Sequence, residues 1–208
     1  MKRSTVLLIA LAFIGIVMGV VGLKDSIRIF KDDISDLTAM KQTEFESGDL
    51  AEGELFLVID QIATEETTRT YGFVPVSKSE TPYYLVTNDE CYFVISVGNK
   101  DRQKEFEDYC DKSYVYIMDA TYTVPEPEGL KVSAKASDMN SEVRGYLEDY
   151  CKNTLGMSDA DYRELVVTDV CLSAVQYNSM KWMPFIGFGI AALSIVILII
   201  LKKRSTRF

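Results

Sequence analysis

The chain has 208 residues, 48% of them hydrophobic, with 22 basic and 31 acidic side chains for a formal net charge of −9, four Cys and no His. That composition fits a globular or membrane-tethered chain and argues against disorder. Without His there is no Ser-His-Asp triad, Cys-His dyad, HExxH zinc site or His-ligated haem, and the acidic balance argues against nucleic acid as a partner.

Residues 4–23 (STVLLIALAFIGIVMGVVGL) and 183–201 (MPFIGFGIAALSIVILIIL) contain no charged side chain. Each is close to the ~20 residues a helix needs to cross about 30 Å of hydrocarbon, so the lipid bilayer is the first expected partner. All 31 acidic residues lie between the two segments; with 16 basic residues, positions 24–182 carry a formal charge of −15. Lys202, Lys203, Arg204 and Arg207 follow the second segment, against Lys181 alone just before it. The positive-inside rule therefore expects a cytoplasmic C-terminus. The first segment is flanked by Lys2 and Arg3 on one side and by Lys24, Arg28 and Lys31 on the other. Two spans with both termini in the cytoplasm and an extracytoplasmic central domain satisfy the stronger signal. A cleaved signal peptide is the alternative for the first segment, although its best cleavage site, Val20-Val21-Gly22, is poor. Gly15 and Gly19 form a GxxxG pair, and Gly187 and Ala191 repeat the spacing. Small residues let helices approach closely in lipid, which predicts packing within one chain or between two, and a membrane-protein or self partner through the spans. Trp182 and Phe185 stand where an aromatic belt meets the outer headgroups.

Past the first span, Leu23, Ile27, Phe30, Ile34 and Leu37 form one helical stripe, which predicts a helical stalk over 24–42. An α+β domain is expected over 43–180. Its predicted strands are Glu54 to Asp60, Tyr71 to Val76 with Pro75 at an edge or bend, Tyr83 to Thr87, and Cys91 to Val97. In the last of these, Cys91, Phe93, Ile95 and Val97 share one face and Tyr92, Val94 and Ser96 the other. Lys100 to Lys112 reads as a helix with Phe106, Tyr109 and Cys110 on one side. Tyr114 to Val124 has strand composition, and Pro125 to Gly129 is a loop. A short strand over Leu130 to Ala134 precedes a longer helix from about Ser137 to Leu155, with Met139, Val143, Tyr146, Leu147, Tyr150 and Cys151 as its stripe and Gly156 as C-cap. Ser158 caps a brief helical turn through Arg163, and Leu165 to Val175 is the final strand. The domain is thus expected to be α+β, a mainly antiparallel sheet with two or three helices, followed by the second span at 183–201 and a basic cytoplasmic tail at 202–208.

Cys91, Cys110, Cys151 and Cys171 all fall in this domain. An even count outside the cytoplasm is compatible with two disulfides, for instance Cys110 with Cys151 and Cys91 with Cys171; equally, each lies in or beside an apolar run, where free Cys is commonly buried. No CxxC is present, and neither is GxGxxG, GxxxxGK[ST] or GxSxG, so no cofactor or metal site is expected and no catalytic residue is singled out. Asp32-Asp33, Glu65-Glu66 and Asp159-Asp161 lack EF-hand spacing and read as solvated surface. EDYC occurs twice, at 107–110 and 148–151. Tyr71, Tyr83, Tyr84, Tyr92, Tyr109, Tyr114, Tyr116 and Tyr122 suit ordinary strands by β-propensity, an exposed Tyr patch being the binding alternative.

The whole layout, from basic N-terminus through a Tyr-rich acidic domain to a second span ending LKKRSTRF, resembles small two-span membrane proteins of Gram-positive bacteria known only as families of unknown function. The resemblance rests on arrangement and implies no activity. The expected function is non-enzymatic: an extracytoplasmic domain that binds a partner or senses an envelope component. The alternatives are an envelope hydrolase using carboxylates or a Ser/Lys pair, and a thiol redox protein.

Overall fold

A computed structural model of the chain describes residues 3–71, 74–121 and 123–205. The chain divides into two units, one formed by residues 1–33 with 176–208 and the other by residues 34–175. The first unit is a pair of helices, α1 (Arg3–Phe30) and α5 (Tyr177–Ser205). Within them Thr5–Phe30 and Tyr177–Lys203 are long and apolar enough to cross a membrane. Their outer surfaces are lined with exposed Leu, Ile, Val and Phe, which is the surface a bilayer solvates.

Helix α1 stops at Phe30, which corrects the expected helical stalk to residue 42. Asp32 takes the left-handed conformation at φ +54°, and the Asp33 amide closes back on the Arg28 carbonyl at 3.0 Å. This is a Schellman-type terminus with Asp in the position that Gly usually fills. The Arg28 guanidinium pairs with Asp33 at 2.9 Å across the same turn. Of the apolar stripe, Leu37 instead enters the core of the central domain, joined by Met40 and Phe45.

That domain holds β1 (Ser35–Asp36), β2 (Leu50–Leu55), β3 (Leu57–Tyr71), β4 (Val74–Thr87), β5 (Tyr92–Ser96), α2 (Lys100–Met118), β6 (Leu130–Asp138), α3 (Ser141–Asp149), α4 (Asp159–Leu165) and β7 (Val166–Ala174). A 3₁₀ turn at Gln42–Glu44 and a π-helical turn at Tyr150–Thr154 complete it. The seven strands form one sheet in the order β1-β2-β6-β7-β5-β4-β3. The sheet is mixed, not mainly antiparallel as the sequence suggested. β7 inserts between β6 and β5, antiparallel to the first and parallel to the second, and β1 runs parallel to β2. Alternation tells which face a side chain takes; it carries no information on which strand lies alongside.

The two faces are covered by different helices. Phe93, Ile95 and Val97 of the β5 region face a core that includes Phe106 and Tyr109 of α2. Val94 faces a second core with Val143 and Leu147 of α3, Cys151 of the π turn and Tyr162 of α4. The predicted split of the Cys91–Val97 run between two faces is thus realised, and the central strand is buried on both sides. The two EDYC strings sit on opposite layers.

Several boundaries differ from expectation. The Glu54–Asp60 run is broken at Phe56 into the end of β2 and the start of β3. The Tyr71–Val76 and Tyr83–Thr87 candidates belong to one long β3–β4 ribbon, with Gly72 and Phe73 outside the described residues. β5 pairs with β4 only over Tyr83–Thr87, so among the described residues the outer part of the ribbon has no third strand beside it. Tyr114–Met118 is helical, not a strand: α2 is nucleated by Asn99, whose side chain accepts from the Asp101 and Arg102 amides, and its period continues Phe106, Tyr109 and Ser113 against the sheet. Past it, the exposed Asp119 carboxylate gathers the Thr121, Thr123 and Val124 amides. The hydroxyl of Thr121, which also donates to it, and then these amide bonds hold its pKa well below the usual carboxylate range. The predicted caps at Ser158, which accepts from the Asp161 amide, and at Gly156, with φ +68°, are both present.

Candidate functional site

The four cysteines stand as separate free thiols. Cys91 lies in the core under α2 and Cys110 packs against its edge, while Cys151 and Cys171 lie in the core under α3. Burial pushes Cys91 and Cys171 up to about 12 and Cys110 and Cys151 up to about 11. Burial dominates in all four, and Asp60 with Asp111 adds to it at Cys110. Thiolates are the nucleophiles and metal ligands of cysteine chemistry, so these surroundings favour packing over reaction.

A pH expectation follows. An acid whose pKa is raised by folding holds its full stabilising contribution below the unfolded pKa, near 9 for a thiol, and loses it as pH rises toward the folded value. The domain should therefore keep its stability through neutral pH and lose it between about pH 9 and about pH 12. A thiol-disulfide reagent at pH 8 should label the buried Cys151 and Cys171 only after denaturation. Stoichiometric labelling of the native protein would contradict this burial.

The structure brings Gly15 and Gly19 of α1 against Gly187 and Ala191 of α5. A Cβ on Gly15 would lie 2.5 Å from the Gly187 carbonyl oxygen and 2.8 Å from the Ala191 amide nitrogen. One on Gly187 would lie 2.7 Å from both the Gly15 carbonyl and the Gly19 amide. Toward the end of the pair, Phe30 stands edge-on to Trp182 and Phe185 at 6.1 and 6.0 Å, and the Lys181 ammonium sits 4.4 Å from the Phe30 ring centre. The Ser26 hydroxyl donates to the Lys181 carbonyl at 2.8 Å.

Of the tyrosines named above, Tyr84 and Tyr109 are buried and Tyr114 is exposed; Tyr122 lies outside the described residues. Tyr114 belongs to the feature that sequence reasoning missed. Where the sheet ends at the β4–β5 turn, the two helical layers part and leave a groove of about 490 Å³. The last turns of α2 form one wall with Tyr114, Ile117 and Met118. Tyr150 and Leu155 of the π turn, with Leu165 at the end of α4, form the other. Phe56, Ile59 and Tyr92 supply the floor, and Asp89 and Glu90 the rim. Tyr114, Ile117 and Met118 are 58%, 49% and 62% exposed. The lining contains no basic residue.

One hydroxyl of the groove and its rim turn are held in place. The Tyr150 hydroxyl donates to Asp60 at 2.9 Å, and burial, then this bond, raise its pKa. Asn88 holds the rim turn in place, accepting from the Glu90 and Cys91 amides at 3.2 and 3.1 Å. Asp89 sits at φ +78° in that turn. A larger cleft of about 530 Å³ between α2 and the Pro127–Leu130 segment is walled mainly by solvated charges such as Asp101, Lys104, Asp108 and Lys112. No cluster of His, Cys, Asp and Glu suited to a metal ion occurs among the described residues.

Residues 1–203 match the family described as Domain of unknown function (DUF8577). The chain belongs to this family. The DUF8577 match takes in the central domain and nearly all of both apolar helices. No curated protein and no solved structure matches the chain.

Proposed function

We propose that this DUF8577 protein is a two-span membrane protein whose acidic domain lies outside the cytoplasm and works by binding a partner there. The observation that carries the binding reading is the groove at the end of the sheet: apolar side chains from α2, the π turn and α4 converge there without a poised nucleophile or acid–base pair. Such surfaces are where proteins dock others. The orientation is supported by the basic residues of the C-terminal tail and the formal charge of −15 between the spans.

Topology is tested with introduced cysteines, since three of the native thiols are buried. Glu142→Cys should react with a membrane-impermeant maleimide on intact cells, and Lys203→Cys only after permeabilisation; the reverse pattern would place the domain in the cytoplasm. Binding is tested by a benzophenone amino acid at Met118. It should give a discrete protein adduct in cells, and the same probe at Glu142 should give none. Equal adducts from both sites would remove the groove from the reading.

A further inference from the structure

We propose that the groove takes a cationic amphipathic peptide segment of another protein, its apolar face on the α2 and π-turn walls and a Lys or Arg at the Asp89–Glu90 rim. This rests on the partner-binding reading above and names the partner's chemistry.

The argument is charge complementarity on an apolar floor. Asp89 and Glu90 are exposed at one rim, and neither carboxylate has a cation partner among the described residues. Asp60 adds a third acid behind Tyr150. With no basic residue in the lining, an anionic occupant meets only repulsion. Four aromatic side chains of the groove, Phe56, Tyr92, Tyr114 and Tyr150, supply rings of the kind that attract a cation. A small molecule is normally enclosed over most of its surface. Here the wall residues of α2 are about half exposed and come from an open helix end, which suits an amphipathic helix laying one face into a groove. The rim is also built to stay in place: Asn88 fixes the turn that carries both acids, its amide donating to the Leu37 and Met40 carbonyls at 2.7 and 2.8 Å. A second copy of this chain is a poorer occupant: Lys2-Arg3 and Lys202 to Arg207 lie across the membrane in the proposed topology, and Lys24, Arg28 and Lys31 on the domain side are interspersed with Asp25, Asp32 and Asp33.

The test uses the full chain in zwitterionic nanodiscs, with the benzophenone probe at Met118 and a synthetic Leu/Lys amphipathic helix. A Leu/Glu helix of the same pattern is the control. The Leu/Lys peptide should form an adduct and the Leu/Glu peptide should not. Asp89→Asn with Glu90→Gln should raise the half-saturating peptide concentration about tenfold, in the range expected for losing charge pairs at a rim. Asn tolerates the left-handed backbone at residue 89, so this variant keeps the turn. Ile117→Glu should raise it at least tenfold, while the distant pair Asp138→Asn with Glu142→Gln should not change it. Equal adducts with both peptides, equal loss from the distant pair, adducts to lipid or to a second copy, or no adduct at all would each overturn the proposal. Failure here alongside a discrete cellular adduct from Met118 would reject the cationic chemistry and leave partner binding standing; reversed maleimide labelling would reject only the topology.

Discussion

Asn88→Ala should lower the stability of the central domain by about 3–5 kcal/mol, since each buried polar group left unpaired costs roughly 1–3 kcal/mol. Asn88 is 4% exposed, and its side chain makes four bonds to backbone groups. The amide donates to the Leu37 and Met40 carbonyls at 2.7 and 2.8 Å, and the carbonyl accepts from the Cys91 and Glu90 amides at 3.1 and 3.2 Å. Leu37 and Met40 are themselves buried, so water cannot replace the lost donors. Asn88→Asp should be no milder, because a carboxylate would face two carbonyl oxygens with nothing to donate. Asp89→Asn, one residue along and exposed, should stay within about 0.5 kcal/mol. Urea unfolding followed by far-UV circular dichroism checks all three. An Asn88→Ala protein as stable as the parent would mean that the segment from Leu37 to Met40 is not held by this side chain.

Gly187→Leu should separate α1 from α5, costing the helix pair about 1–3 kcal/mol, the usual range for overpacking a tight interface. The atoms a side chain would meet at Gly187 are the Gly15 carbonyl oxygen and the Gly19 amide nitrogen, each 2.7 Å from the Cβ position. Backbone cannot swing aside as a side-chain end can. Gly15→Leu meets the Gly187 carbonyl at 2.5 Å and should act in the same way. Gly189→Leu is the control, since nothing lies within 4 Å of its Cβ position. The readout is built in: Trp182 is the single Trp of the chain, and its ring lies 6.1 Å from Phe30 of the other helix. Its fluorescence during an SDS titration should show an earlier midpoint for Gly187→Leu and an unchanged one for Gly189→Leu. Equal midpoints for the two variants would mean the small-residue contact does not hold the pair.

Much of the architecture was legible along the chain because it depends on neighbours in sequence. The Ser158 and Gly156 caps act over one helical turn, and the two faces of the Cys91–Val97 run follow from the period of a strand. The candidate site was not legible in the same way. Its walls come from β2–β3, the β4–β5 turn, α2, the π turn and α4, and its main wall, Tyr114 to Met118, has the aromatic and β-branched composition of a strand. The Asn99 cap and the sheet-facing period of α2 overrode that local preference.

By itself the sequence determined two uncharged apolar segments, an acidic region between them and the residues that alternate between core and surface, since these depend on composition and on fixed backbone periods. Only the tertiary structure decided which strands lie side by side, where α1 ends and what the groove is made of. β7 chooses β5 and β6 as neighbours, and Leu37 leaves the helical stripe for the core, because burying apolar surface is non-directional and rewards contacts between residues far apart in the chain, which no local pattern encodes.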